Sequence, residues 1–212
     1  MMSRENVLKI IELLRKEYPD AKGTALNFSE PLELLVATIL AAQCTDERVN
    51  EVTRDLFQKY KTADDYAKAD LDELEKDIKP TGFYRVKAKR LKECCKMLAE
   101  EYDSEVPQNI DALAKLPGVA RKTANLVLSN AFGINQGIAM DTHVRRLSKR
   151  LGLSEKKQSD KMERDLMELI PKENWFDFTY LIVAHGRNVC TARNPRCGEC
   201  VLKGLCPSAF TF

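Results

Sequence analysis

The stretch Leu116-Pro-Gly-Val-Ala-Arg-Lys-Thr-Ala124 joins two helices through a short turn and decides the fold of this chain. Proline and glycine end the first helix, because proline disfavours helical geometry in the preceding residue and glycine accepts the left-handed backbone of a tight turn. Helical periodicity begins again near Arg121 and continues to Phe132. The N–H groups at the start of the second helix could hold one phosphate group without reading sequence. An ordinary corner between two helices explains the same residues equally well.

Apolar residues recur at helical spacing along most of the chain, and there is almost no signal for β-strands. Proline, glycine, aspartate and asparagine separate the periodic segments. Ser29, which precedes Glu30 and Pro31, is predicted to cap the second helix. The predicted helices are 6–18, 32–42, 47–60, 63–68, 71–78, 86–102, 110–116, 121–132, 142–151, 160–170 and 175–185. The sequence therefore predicts an all-α protein.

The composition is that of an ordinary globular protein, with 212 residues, 44% hydrophobic and 31% charged. The longest nearly apolar stretch, Leu34–Ala42, is too short to span a bilayer. The first twenty residues alternate charged with apolar side chains and do not form the apolar centre of a signal peptide. We therefore expect a cytoplasmic protein that has no membrane partner.

The net charge of +2 conceals an uneven distribution. Lys61–Ile78 has three basic and seven acidic residues, whereas Lys79–Arg150 has fourteen basic and seven acidic residues. The basic excess lies where the turn motif lies, so it permits a nucleic-acid surface. A solvated basic face is the more ordinary explanation of the same bias.

Four cysteines near the C-terminus follow the spacing C-x6-C-x2-C-x5-C, namely Cys190, Cys197, Cys200 and Cys206. Such gaps let the chain turn back on one soft metal centre, either zinc or a [4Fe–4S] cluster. Zinc sites usually pair their ligands as two short knuckles, whereas this run has one tight pair between wider gaps, which favours iron and sulfur. Two disulfides or free core thiols are the alternative. The remaining cysteines, Cys44, Cys94 and Cys95, are expected to be buried or without a role.

Two ionisable residues stand at helix starts and are candidates for catalysis. Lys122 lies in the first turn after the hairpin, where the helix dipole disfavours an ammonium, and burial in a cleft would favour the nucleophilic neutral amine further. Asp141 precedes Thr142 and another predicted helix, so its carboxylate could cap that helix or serve as an acid/base group. Together they could supply a nucleophile and an acid/base group to one cleft.

The order of motifs along nearly the whole chain resembles the endonuclease III family, the iron–sulfur helix-hairpin-helix DNA glycosylases. The residues that carry the resemblance are Asn27-Phe28-Ser29, Ala42-Gln43, Ile78-Lys79, Glu105-Val106-Pro107, Leu116-Pro-Gly-Val119, Arg121-Lys-Thr-Ala-Asn125, Asp141-Thr-His143, His185-Gly-Arg187 and the four cysteines. The resemblance implies a six-helix barrel lobe over residues 25–134. It implies a second lobe, with a [4Fe–4S] cluster, over residues 1–24 and 135–212.

In that family the chain would bind duplex DNA containing damaged pyrimidines or abasic sites. The resemblance implies that the damaged base flips out of the stack, while Gln43 and Phe83 enter the vacated space from opposite sides of the duplex. Alternatively, Gln43 is a surface residue at a helix end and Phe83 a core aromatic. The other implied DNA contacts are Gly118, Ala120, Arg121 and Thr123 in the hairpin and Arg193 and Arg196 in the first loop of the cluster. Ala120 departs from the family, which usually has glycine there, and its Cβ restricts close approach to a phosphate.

The resemblance further implies that Lys122 attacks C1′ of the damaged nucleoside with the help of Asp141, forms a Schiff base and breaks the strand by β-elimination. The cluster is expected to be structural, because four protein ligands leave no open position for substrate. One alternative is a monofunctional adenine or mismatch glycosylase, which would not ordinarily carry a lysine at position 122. Another is a non-enzymatic DNA-binding or redox-sensing module.

Overall fold

A computed structural model describes residues 2–211, and throughout this range the regular structure is helical, without a strand. The α-helices are α1 Arg4–Glu17, α2 Pro31–Leu40, α3 Asp46–Lys59, α4 Ala63–Lys68, α5 Leu71–Asp77, α6 Tyr84–Glu101, α7 Ile110–Leu113, α8 Arg121–Ala131, α9 Thr142–Arg150, α10 Ser159–Leu169 and α11 Trp175–Asn188. Short 3₁₀ turns at Lys79–Thr81 and Lys172–Asn174 lead into α6 and α11. The prediction of an all-α protein is confirmed.

Side-chain caps explain where several helices begin. The hydroxyls of Ser3 and Thr45 accept from the backbone three residues on, and Thr62 forms a reciprocal capping box with Asp65 at the start of α4. The predicted cap at Ser29 is wrong, because the N-cap position of α2 is Glu30. Ser29 instead donates from its N and Oγ to the carboxylate of Glu33, at 2.6 and 2.7 Å.

Helix α7 ends at Leu113, three residues before the predicted end. Lys115 and Leu116 donate their N–H groups to carbonyls only three residues back, at 3.2 and 3.1 Å, so the helix tightens into a turn. Leu116 precedes a proline, which disfavours helical geometry at that residue. Helix α11 continues three residues past its predicted end because Gly186 does not interrupt it.

The chain divides into two compact units. The unit called here the barrel unit is Ala25–Ile134, and its apolar core is built from α2 to α8. The largest fully buried side chains in this core include Tyr66, Leu91 and Leu98. Cys94 and Cys95 are buried as predicted, while Cys44 is half-buried.

The other unit, called here the cluster unit, comprises the residues up to Thr24 and those from Asn135 onward. Its core joins apolar side chains of α1 with those of α9, α10 and α11, including Ile10, Leu147 and Phe178. Leu202, within the cysteine loop, is buried in the same core. No helix within residues 2–211 is long and apolar enough to cross a bilayer.

Candidate nucleic-acid interface and metal centre

The hairpin between α7 and α8 presents its backbone at the surface of the barrel unit. Leu116 and Val119 are buried and anchor the turn. Gly118, which lies between them, and Ala120, which follows Val119, are exposed. Val119 donates its N–H to the carbonyl of Leu116 at 3.0 Å. Gly118 has φ of +84°, a conformation that glycine adopts without strain, and an added Cβ would lie 3.3 Å from Cβ of Arg90.

Ala120 is the N-cap residue of α8, with φ −85° and ψ 164°. This extended backbone is open to any residue, so the methyl group in place of glycine introduces no backbone strain. Arg121 and Thr123 follow in the first turn and are half-buried. The first N–H groups of a helix have no intrahelical partner and form a site for an anion, which is the geometry that the sequence predicts here.

Lys122 and Asp141 occur at helix starts, each in a different unit. Lys122 lies in the first turn of α8 with its side chain exposed, so the predicted burial in a cleft is not observed. Asp141 is half-buried and is the N-cap of α9, where its Oδ1 accepts from the N–H of Val144 at 2.7 Å. The capping alternative for Asp141 is therefore realised.

Gln43 and Phe83 lie in two turns of the barrel unit, and both have left-handed backbones, with φ of 54° and 48°. Gln43 is exposed between the end of α2 and Thr45, the N-cap of α3. Phe83 precedes α6 directly and is 64% exposed. The alternative that Phe83 is a core aromatic is therefore wrong.

The four C-terminal cysteines line one cavity of the cluster unit, together with apolar side chains such as Leu147 and Val189. All seven cysteines of the chain are free thiols, so the disulfide alternative is not observed. Within residues 2–211, no group of three or more His, Cys, Asp or Glu side chains is arranged tightly enough for a single metal ion. The four thiols thus surround a cavity and do not form a compact tetrahedron.

Hydrogen-bond donors approach the cysteine sulfurs. Arg150 donates from Nη1 to Sγ of Cys190 at 3.2 Å, and the N–H of Leu202 donates to Sγ of Cys200 at 3.4 Å. Nε2 of His185 lies 3.3 Å from Sγ of Cys200. A cation and N–H donors suit thiolates that ligate an iron–sulfur cluster, whose sulfurs are commonly hydrogen-bonded. The donor set therefore fits such a cluster, with four cysteine ligands.

Burial acts on the ionisable groups around this cavity. It lowers the pKa of His185 to about 4 and raises the pKa of the Cys200 and Cys206 thiols. The Nδ1 atom of His185 lies 2.9 Å from the hydroxyl of Tyr18. That contact fixes the orientation of the ring beside Cys200.

The two arginines in the first loop of the cluster differ in their surroundings. Arg193 is exposed. Arg196 is also exposed, but its guanidinium donates to the carbonyl of Asn188 and pairs with Glu199 at 3.1 Å. A phosphate would have to compete with these contacts at Arg196, so Arg193 is the less constrained of the two.

Sequence reasoning missed the arginines that hold the cysteine loop in place. Arg150 donates to the carbonyls of Thr191 and Ala192 at 2.7 and 2.9 Å. Arg146 donates to the carbonyls of Gly186 and Cys190, both at 3.0 Å. Their i, i+4 spacing places them on one face of α9, and this was the available signal.

Comparison with known proteins identifies the family. Residues 36–172 match the HhH-GPD superfamily base excision DNA repair proteins, and residues 190–206 match the iron–sulfur binding domain of endonuclease III. The second match begins and ends at Cys190 and Cys206, the outer two of the four cysteines. The prediction of an iron–sulfur cluster is confirmed.

Full-length relatives agree with these matches. Endonuclease III of Synechocystis sp. is 53% identical over 97% of this chain and 94% of its own length. A non-covalent endonuclease III–DNA complex has a protein chain 43% identical to this one, with a TM-score of 0.93, covering 100% of this chain and 98% of that one. A trapped endonuclease III–DNA covalent intermediate has the same TM-score and identity, over 100% and 99% of the two chains. This chain therefore belongs to the endonuclease III family, whose members are base excision repair DNA glycosylases with lyase activity and an iron–sulfur cluster.

Proposed function

We propose that this chain removes oxidised pyrimidines from duplex DNA and then cleaves the strand through a covalent intermediate at Lys122. The position of Lys122, exposed in the first turn of α8 directly after the hairpin, carries the proposal. A hairpin that holds a phosphate would bring the DNA backbone to the start of the same helix. The relative trapped as a covalent intermediate with DNA supports a nucleophile in the protein.

The amine of Lys122 attacks C1′ of the flipped nucleotide, and the base leaves with the electrons of the N-glycosidic bond and takes up a proton. Opening of the sugar ring gives a protonated Schiff base between Nζ and C1′. The iminium makes the C2′ proton acidic, and loss of that proton breaks the C3′–O bond on the 3′ side of the lesion. Hydrolysis of the Schiff base then frees the amine.

Asp141 is assigned the role of acid/base group or stabiliser of positive charge on the sugar. Its Oδ1 is engaged by the N–H of Val144, which fixes the carboxylate at the start of α9. We assign Oδ2 to the reaction. A capped carboxylate is a well-oriented one, so the structural and catalytic roles are compatible at this residue.

The remaining DNA contacts are assigned by their exposure. Gln43 would replace the flipped base opposite its partner, and Phe83 would wedge against the stack. Gly118, Ala120, Arg121 and Thr123 would hold a phosphate at the hairpin, and Arg193 and Arg196 would meet phosphates near the cluster. Cys190, Cys197, Cys200 and Cys206 would hold the [4Fe–4S] cluster, which orders the loop and supplies no reacting position. The chain would act as a monomer on the nucleoid.

Borohydride trapping on a duplex that contains thymine glycol tests the proposal. Lys122→Ala should abolish the covalent adduct, whereas Lys115→Ala, which removes an exposed lysine of the same hairpin, should leave it unchanged. Asp141→Asn is well matched, because asparagine caps a helix as well as aspartate does and the substitution removes only the charge. We expect it to lower the single-turnover excision rate by about 100-fold or more.

The other outcomes would identify the alternatives. Base release without an adduct from the unmodified protein would indicate a monofunctional glycosylase that uses Asp141 with water. Binding of the duplex without base release or cleavage would favour a non-enzymatic module. An adduct that survives Lys122→Ala would place the nucleophile at another amine.

A further inference from the structure

The backbone conformations of the turns that present Gln43 and Phe83 must be stabilised by surrounding residues. Both residues have left-handed backbones, which cost free energy for a side chain other than glycine and persist only where the surroundings impose them. Both side chains are exposed, so their own packing does not supply this constraint. The constraint must come from the chain beneath the turns.

Lys87 lies beneath both turns. It is on α6, one helical turn after Phe83, and only 4% exposed. Its Nζ donates to the carbonyl of Leu40 at 2.8 Å and to the carbonyl of Thr81 at 2.7 Å. Leu40 is the last residue of α2, three before Gln43, and Thr81 ends the 3₁₀ turn, two before Phe83. One ammonium group therefore hydrogen-bonds to the backbone just before each of the two turns.

Burying a lysine ammonium at this position costs free energy through desolvation. Its neighbours along α6, Ala88 and Leu91, are fully buried, and burial lowers the pKa of Lys87. An apolar side chain would fill the same stripe of the helix without desolvating a charge. A buried charge is weak evidence for stability, so its value here is the fixed distance it imposes between two helix-terminal carbonyls.

We infer that Lys87 is a positioning residue, which clamps the turns of Gln43 and Phe83 so that the amide and the aromatic ring enter the duplex as a pair. This inference rests on the proposed function, in which those two side chains fill the space of the flipped base. Lys87 itself touches no DNA. It acts through the backbone of residues 40–43 and 81–83.

Hydrogen exchange measured by mass spectrometry tests the clamp without DNA. Lys87→Met keeps an unbranched side chain only one heavy atom shorter, but it leaves both carbonyls without their donor. We expect faster exchange in both turns, at amides such as those of Cys44 and Gly82, which are hydrogen-bonded within their turns. Leu91→Ala is the control, because it opens the core on the same helix one turn further on and leaves both carbonyls bonded to Lys87.

The functional readout uses a duplex in which 2-aminopurine lies opposite a tetrahydrofuran abasic analogue. The fluorescence of 2-aminopurine rises when this base is unstacked. Lys87→Met should lower this signal and should slow single-turnover excision of thymine glycol by about tenfold or more. Each variant is measured at the same interval below its own melting midpoint. Under these conditions Leu91→Ala should retain both the fluorescence signal and the excision rate. Should Lys87→Met fail to fold, Lys87→Gln, with a neutral donor of shorter reach, takes its place in both measurements.

The outcomes separate this inference from the function on which it rests. Unchanged exchange in either turn, or an equal rise in Leu91→Ala, would overturn the clamp. Normal excision by Lys87→Met, while the unmodified protein forms its borohydride adduct, would overturn the clamp alone. Absence of the adduct from the unmodified protein would overturn the proposed function and this inference with it.

Discussion

Each of the two units fixes its exposed loops with basic side chains that donate to backbone carbonyls, but the loops differ in what else holds them. In the barrel unit, Lys87 is buried between Leu40 and Thr81, and the turns begin and end on helices of one apolar core. In the cluster unit, Arg146 and Arg150 hold a loop whose cysteines are only half-buried. The turns of the barrel unit are therefore held by side chains within an apolar core, whereas the thiols of the cysteine loop line a cavity.

Removal of one proposed cluster ligand should have the largest effect, and it should act on the cluster unit. Cys200→Ser takes away a thiolate, and we expect loss of bound iron and faster exchange over residues 190–206. Because ligand binding is coupled to folding of the loop, the loss of stability should exceed about 3 kcal/mol. Iron content and hydrogen exchange measure both effects. The amides of α2 and α6, in the barrel unit, should keep their protection.

Cys44→Ser is the matched control, since Cys44 is also a half-buried free thiol but belongs to the barrel unit. It should retain the full iron content. A Cys200→Ser protein that keeps its iron would show that the loop holds the cluster without this residue.

Close packing of α11 on α9 is the next point to test. An added Cβ at Gly186 would lie 2.6 Å from Nδ1 of His143 and 3.0 Å from Nη2 of Arg146. Gly186→Ala should therefore push Arg146 away from the loop and destabilise the protein by about 1–3 kcal/mol, the usual cost of overpacking. Denaturant unfolding measures it. Gly198→Ala, where an added Cβ meets nothing within 4 Å, should be nearly neutral, and equal effects of the two would contradict this account.

Arg150→Lys tests whether the fork of the guanidinium matters or only its charge. Arg150 reaches Sγ of Cys190 and the carbonyls of Thr191 and Ala192, and a single ammonium cannot reach all three in this geometry. We expect a loss of about 1–2 kcal/mol, measured by the midpoint of chemical unfolding. Arg54→Lys, at an exposed arginine paired with its neighbour Asp55, should cause no measurable change. A loss of the same size there would mean that arginine content alone was responsible.

The sequence predicted the helices well because caps and periodicity act locally. Helix α4 begins and ends where predicted, since Thr62 and Asp65 form its capping box. Pro117 and Gly118 likewise predicted the tight turn that exposes the backbone of the hairpin. The left-handed turn at Gln43 could not be predicted, because no glycine or asparagine marks it and the hydrogen bond that Leu40 accepts just before it comes from Lys87, 47 residues further along the chain.

The role of Lys87 was hidden by its neighbours in the sequence. It stands in a basic run with Arg85, Lys89 and Arg90, all three of which are exposed. Its spacing from Leu91 and from the buried residues 94, 95 and 98 puts it on the apolar stripe of α6, and this was the signal that marked it as different. Burial of Lys122 was predicted wrongly for a related reason, since helix position alone does not fix exposure.

The smallest effect is expected at Ala120, where the hairpin departs from the usual glycine of the family. Glycine caps a helix better than alanine by about 0.5 kcal/mol, but it costs a similar amount through the entropy of the unfolded chain. Because the backbone at Ala120 is extended, Ala120→Gly should change the free energy of unfolding by less than about 0.5 kcal/mol.

Ala120→Gly should measurably change the affinity for DNA, although it leaves the free energy of unfolding nearly unchanged. Without the Cβ, a phosphate can approach the N-terminus of α8 more closely, and we expect the Kd for a duplex with an abasic analogue to fall about threefold. The salt dependence of binding should stay the same, because no cation is added or removed. Gly118→Ala should act in the opposite direction, since φ of +84° and the contact with Arg90 both oppose a side chain there. Weaker binding by Ala120→Gly would mean that the methyl group orders the hairpin, so that in this chain rigidity at the phosphate site outweighs close approach.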